Sequence, residues 1–215
     1  MFINKIGMEH LEIGMNCQDY GFEGERESVI CDGCSEGKHS EVGAKLYSLL
    51  RSQNEITSPT TTAIFNKIVY NLLGDDPIIL KNYMCFTILN LLYSAEDWIV
   101  NYCGDGYIIL QDYNDNITFE ELSDGEYPKY YIYNYIERKH LQHYKDGVSF
   151  SQKTYSQEKY AKVGIASDGL RYILRADEKL KCEFINCLKS DRELKTKLFI
   201  NRNRKIFKDD ITIVF

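Results

Sequence analysis

The chain has 215 residues, 44% of them hydrophobic and 27% charged, enough to bury a sizeable core within one domain. A net charge of −6 argues against a nucleic-acid backbone as partner, and no apolar run is long enough to cross a bilayer. The seven cysteines are odd in number and irregular in spacing, which speaks against a disulfide framework and for a reducing, cytoplasmic setting. The first stretch, MFINKIGMEHLEIG, carries Glu9 and Glu12 and does not read as a secretory signal. Cys31 and Cys34 form a C-x-x-C, but no second pair exists to complete a zinc site.

In chain order, MFINKIG and SVICDG read as strands on either side of a polar turn region, YGFEGERE. Ser40 is placed to cap a helix whose apolar face would be Val42, Leu46, Leu49 and Leu50. A second helix is expected from Thr60 to Leu73, with Ile64, Phe65, Ile68, Val69 and Leu72 as its stripe and Gly74 as its stop. NYMCFTILNLLYS, DWIVNYCG and YIILQDY read as an antiparallel meander, and YYIYNYI as a further half-buried strand. The polar stretch from Glu137 to Tyr160 has no clear period. KVGIAS is a short apolar strand, a helix follows over Lys179 to Leu188, and DDITIVF closes the chain as a strand. With no repeat, no low-complexity linker and few prolines, residues 1–215 read as a single domain of the α+β class. Its expected architecture is a four-layer α-β-β-α sandwich, two antiparallel sheets flanked by helix pairs.

Three apolar runs end in Asp-Gly: Asp32-Gly33, Asp105-Gly106 and Asp168-Gly169. One reading is turn chemistry, which suits Asp105 between two strand patterns. The other is a cation site. Carboxylates gathered at strand ends repel one another and resist desolvation, and hard dications such as Mg²⁺ or Mn²⁺ relieve both costs. Asp19, in NCQDYGF, and Asp209, at the head of DDITIVF, extend the set.

Taken together and in order, CQDY, CDGCSEGKHSEVGA, CFTIL, YCGDGYIIL, IASDGL and DDITIVF resemble the protein phosphatase 2C family of metal-dependent Ser/Thr phosphatases. The resemblance runs from about Gly7 to Phe215, and GMEH with CQDY suggests a divergent bacterial-type branch. It implies two Mn²⁺ or Mg²⁺ ions, with Asp32 bridging them and the Gly33 carbonyl on one. Asp168 and Asp209 would sit on the second ion, and Asp19 would hold metal-bound water. Asp105 would join Asp168 around a third, weaker ion. Asp32, Asp19 and Asp168 would carry catalysis, with a water between the ions attacking phosphoserine or phosphothreonine. The implied partners are a phosphorylated protein substrate and a cognate Ser/Thr kinase, with no nucleic acid or membrane, and the chain would be a monomer. The arginine that family members place before the first acidic motif is missing from LEIGMNCQD, which leaves His10 and Lys38 as candidates to meet the phosphate. Cys34 stands where some members have a general-acid histidine. The alternative implied by these departures is a pseudophosphatase, the same fold kept as a binding or regulatory module.

Overall fold

The computed structural model describes the chain except residues 36, 54–57 and 124–126, and residues 58 and 59 by backbone alone. In chain order the elements are β1 (Phe2–Lys5), α1 (Met8–Glu12), β2 (Tyr20–Glu23), β3 (Glu27–Gly33), α2 (Ser40–Ser52), α3 (Ser58–Ile68), α4 (Pro77–Met84), β4 (Phe86–Tyr93), β5 (Asp97–Cys103), β6 (Gly106–Asp112) and β7 (Ile117–Leu122). They continue with β8 (Ser151–Ser156), β9 (Tyr160–Ala166), α5 (Arg171–Leu174), α6 (Glu178–Lys189), α7 (Glu193–Arg202) and β10 (Ile211–Val214). The strands form two five-stranded sheets, β1-β10-β9-β6-β7 and β2-β3-β4-β5-β8, and every pairing is antiparallel.

The two-residue period of a strand sorts its side chains into layers. Ile30, Leu89, Leu91, Val100, Ile108, Val163 and Val214 meet between the sheets. Their neighbours Val29, Cys31, Phe86 and Ile88 face the other way, under α2, α3 and α4. On the second sheet Ile109, Ile211 and Ile213 turn outward to Phe184, Leu188 and Phe199 of α6 and α7. Three apolar interfaces separating four layers give the expected α-β-β-α sandwich.

Several local expectations shift. The apolar face of α2 is rotated: Gly43, Ala44, Tyr47 and Ser48 are buried while Val42 and Leu49 are exposed. Small residues let this helix settle close to its neighbours. Ser40 does not cap it; its hydroxyl donates to the Cys34 carbonyl at 3.0 Å and accepts from Gln18 Nε2 at 3.0 Å. The second helix runs past Ile68 into a π-helical turn, Val69–Leu73, ending at Gly74 with φ 75°. The wider turn moves Leu72 out to solvent and brings Leu73 onto the core. YYIYNYI is not a strand. Tyr131–Tyr135 is a 3₁₀ turn, and both Tyr131 and Tyr135 pack on Phe65 of α3, with ring centroids 4.8 and 5.8 Å away. A four-residue spacing onto one ring suits a helical turn and not an alternating strand. The meander also breaks after β5, because β6 belongs to the other sheet, beside β9. The crossing is made at Gly104-Asp105-Gly106, where both glycines take positive φ, 111° and 143°.

A buried ion pair ties α2 to β3. Arg51 Nε donates to both Glu27 oxygens at 3.0 and 3.2 Å, and its Nη1 donates to Thr61 Oγ1 at 3.0 Å. Burial outweighs the guanidinium and lifts Glu27 to about 7. Removing one partner leaves the other charge stranded in the core. Arg51→Ala is therefore expected to lower stability by about 3 kcal/mol at pH 8, and by less at pH 6, where the lone Glu27 takes up a proton. Urea unfolding at the two pH values checks both the loss and its direction.

Candidate active site

The antiparallel register brings five chain segments to one end of the sandwich. β2 begins where β3 ends, β4 begins opposite that end, and β5 ends beside the start of β4. In the other sheet, β9 ends where β6 and β10 begin. Asp19 therefore precedes β2, Asp32 closes β3, Asp105 joins β5 to β6, Asp168 follows β9 and Asp209 precedes β10. Asp32 shares its parity with Ile30, which lies between the sheets, so its carboxyl occupies the last inter-sheet position before the core opens.

Asp19, 2% exposed, is the most buried of the five. Its Oδ2 accepts from Ser167 Oγ at 2.6 Å, and Ser167 Oγ in turn accepts from the Thr212 N–H at 2.9 Å. The Asp19 carbonyl accepts from Asn4 Nδ2 at 3.1 Å. Among the described residues, the buried Asp19 Oδ1 meets no donor, and the buried Thr87 Oγ1, opposite Asp32 in the β3–β4 register, has no partner either. The Asp32 carboxyl is close enough to both Asp19 and Asp168 for their charges to act on one another. Arg171 Nη2 then links Asp168 Oδ2, at 2.9 Å, to Asp209 Oδ2, at 3.4 Å.

The charges are mutually unfavourable. Burial first, and then the neighbouring carboxylates Asp19, Asp168, Asp209 and Asp105, push Asp32 well above the usual carboxylate range. Burial and the Asp210 charge raise Asp19 to about 8, against the opposing Ser167 hydrogen bond. Burial raises Asp168 to about 6, although Arg171 pulls it down. Three carboxylates with such unfavourable ionisation, an all-oxygen donor set and a buried Asp19 oxygen with no partner among the described residues fit hard divalent cations.

Asp105, Asp168, Asp32, Gly33, Asp209 and Arg171 all line an open cleft of about 1000 Å³. Its far wall comes from the segment between β7 and β8, where the Tyr127 and His143 rings stack 3.6 Å apart. His10 and Lys38, the residues suggested for phosphate contact, are not among the described residues lining the cleft. Lys38 is exposed at the surface. His10 is buried, its Nδ1 3.0 Å from Asp210 Oδ2.

Sequence reasoning did not single out Asp210, Ser167 or Arg171. His10, Asp209 and Asp210 bring one ligand atom each within 4.8 Å of one another. Asp210 is already engaged, however, accepting from the Gly7 N–H at 2.7 Å and the Gln18 N–H at 2.5 Å. It works as a pin that holds the segment before Asp19 against β10. Its backbone carbonyl lies where a Cβ on residue 169 would fall, 1.9 Å away, so position 169 requires glycine. The signals that were available were the Asp-Asp doublet at 209–210 and an arginine three residues after Asp168.

The raised carboxyls give a stability signature. Their neutral forms are favoured in the fold, so their contribution is fully present below about pH 4. It is lost as pH rises through about 6 for Asp168 and about 8 for Asp19. In chelator, the melting temperature is expected to fall between pH 5 and pH 8.5, and millimolar Mn²⁺ at pH 8.5 to restore several degrees. Thermal melts followed by circular dichroism check this; a profile flat in pH and indifferent to Mn²⁺ contradicts it.

No protein-family model and no curated protein matches the sequence. Solved structures do match across nearly its whole length. Serine/threonine phosphatase Stp1 from Staphylococcus aureus is 15% identical with a TM-score of 0.59, over 99% of this chain and 92% of that one. The Mycobacterium tuberculosis serine/threonine phosphatase PstP/Ppp is 14% identical with a TM-score of 0.63, over 99% and 95%. The catalytic domain of PstP in complex with two manganese ions is 13% identical with a TM-score of 0.62, over 99% and 94%. The fold of this chain is therefore the one found in bacterial serine/threonine phosphatases.

Proposed function

We propose that the chain is a single-domain protein phosphatase of the 2C type, residues 1–215, which removes phosphate from phosphoserine or phosphothreonine with Mn²⁺ or Mg²⁺. The observation that carries this reading is the string of carboxylates in which Asp32, Asp168 and Asp209 line an open cleft and Asp19 is buried next to Asp32. Two ions would be held by Asp32, Asp168, Asp209 and the Gly33 carbonyl, with Asp19 and Asp105 beside them. When bound, such ions lower the pKa of water toward neutrality and offset charge on phosphoryl oxygens.

The chain's own residues supply the positioning. Ser167 fixes Asp19 Oδ2 and so leaves Oδ1, which has no donor among the described residues, to accept a proton from the attacking water. Asp32, between its two neighbours, sets where reactants meet. The cleft is open on one side, which suits a phosphorylated side chain on a protein better than a small enclosed metabolite. No helix among the described residues is long and apolar enough to cross a membrane. The reading accordingly takes the protein to be a cytoplasmic monomer whose substrates are made by a Ser/Thr kinase. The pseudophosphatase reading draws on one feature: Arg171 bridging Asp168 and Asp209 already gives the cluster a cation.

Hydrolysis of p-nitrophenyl phosphate with added Mn²⁺ tests the proposal. Asp32→Ala and Asp168→Ala are each expected to cut turnover by more than ~100-fold, since even the outer partners of a metal are worth roughly 10–100-fold. Unchanged activity in both variants would sink the mechanism. Tight Mn²⁺ binding by calorimetry, with no turnover of any phosphopeptide, would establish the binding module instead.

A further inference from the structure

A phosphomonoester is a dianion, and four carboxylates line this cleft, Asp32, Asp105, Asp168 and Asp209, with a fifth, Asp19, buried next to Asp32. Two dications do not fully neutralise five carboxylates, so an arriving phosphoryl group needs a further cation of the protein's own. The residues expected to provide it lie elsewhere, His10 buried against Asp210 and Lys38 outside the cleft. The cations among the described lining residues are Lys81, Lys129 and Arg171. Lys81 Nζ donates to the His140 carbonyl at 2.9 Å, and Lys129 is engaged as well.

Arg171 is the one beside the chemistry. It opens α5, one turn after Asp168, and its side chain is 31% exposed, so its head is partly desolvated yet reachable. The Tyr172 ring, 5.3 Å from the guanidinium carbon, backs the group. A guanidinium offers five N–H donors in a planar fork matched to two phosphoryl oxygens. The ion pairs to Asp168 and Asp209 are both made by Nη2, at 2.9 and 3.4 Å, and Arg171 lines the cleft beside them.

We propose that Arg171 is the phosphate-gripping residue of this protein, holding two phosphoryl oxygens of the substrate while Asp168 and Asp209 hold it in place. It would thereby serve, from the wall after β9, the purpose for which the segment before Asp19 has no arginine. The assignment rests on the phosphatase reading, and the test separates the two.

Calorimetry on the full chain first measures Mn²⁺ affinity, and then the affinity of the Mn²⁺-loaded protein for inorganic phosphate, for wild type, Arg171→Gln and Arg171→Lys. Thermal melts confirm that the variants fold. Arg171→Gln is expected to weaken phosphate binding about tenfold or more, with Mn²⁺ affinity equal to wild type or tighter. It should raise KM for p-nitrophenyl phosphate by a similar factor, and Arg171→Lys should recover part of the loss, because charge returns without the fork. Phosphate affinity within twofold of wild type in Arg171→Gln overturns the assignment while leaving the metal reading intact. Loss of Mn²⁺ affinity in that variant, with phosphate falling only in step, makes Arg171 a prop for the metal ligands and also overturns it. A wild-type chain that binds neither Mn²⁺ nor phosphate overturns both readings together.

Discussion

The structure turns on a repulsion. Asp19, Asp32 and Asp168 stand close together at a poorly solvated end of the sheet sandwich, where each makes ionisation of the next less favourable. Nothing in apolar packing would select that arrangement, because buried like charges cost more than any local turn preference returns. It persists because the surroundings over-determine it. Asp32 is held in the ladder against Thr87, Asp19 by Ser167 and Asn4, and Asp209 through its neighbour Asp210. A cluster kept together at such cost is a recurrent mark of a functional site.

The layers follow from alternation, and alternation is what made them legible. In VICDG, Val29 and Cys31 face the helices and Ile30 faces the second sheet, so Asp32 falls between the sheets by parity alone. The same rule made the helix over 178–189 readable, because Phe184, Cys187 and Leu188 lie at helical spacing with little competition from small residues. It failed where small residues or aromatics set the contact. The buried face of α2 is built on Gly43, Ala44 and Ser48, which no hydrophobicity pattern weights heavily. The tyrosines of YYIYNYI suit a strand by propensity, but two of them wrap Phe65 from one face of a 3₁₀ turn. Tertiary contact decided both.

The acidic residues were legible by type and position, and their neighbours were not. An Asp-Gly after an apolar run marks a chain reversal whether or not a site lies there, so only the joint placement of five segments distinguishes the two readings. For Asp105 the hairpin reading was wrong in detail. The positive φ angles fall on Gly104 and Gly106, on either side of it, and the chain passes from one sheet to the other. Arg171, Ser167 and Asp210 carry no motif of their own. A serine before an aspartate, or an arginine one helical turn after it, is common in any sequence. What gives these residues meaning is the long-range pairing of β9 with β10, over which Ser167 meets Thr212 and Arg171 reaches Asp209.

The doublet Asp209-Asp210 shows how one short segment divides two tasks. Asp209 lines the cleft, while the Asp210 carboxylate accepts the N–H groups of Gly7 and Gln18 beside His10. The second carboxylate is bound into protein hydrogen bonds and the first is left for the cleft. Because Gln18 precedes Asp19, the strength of the Asp210 pin is felt at Asp19, whose buried Oδ1 has no donor among the described residues. The precision of the site thus depends on a residue outside the cleft lining, as it generally does where charged ligands must be held against their own repulsion.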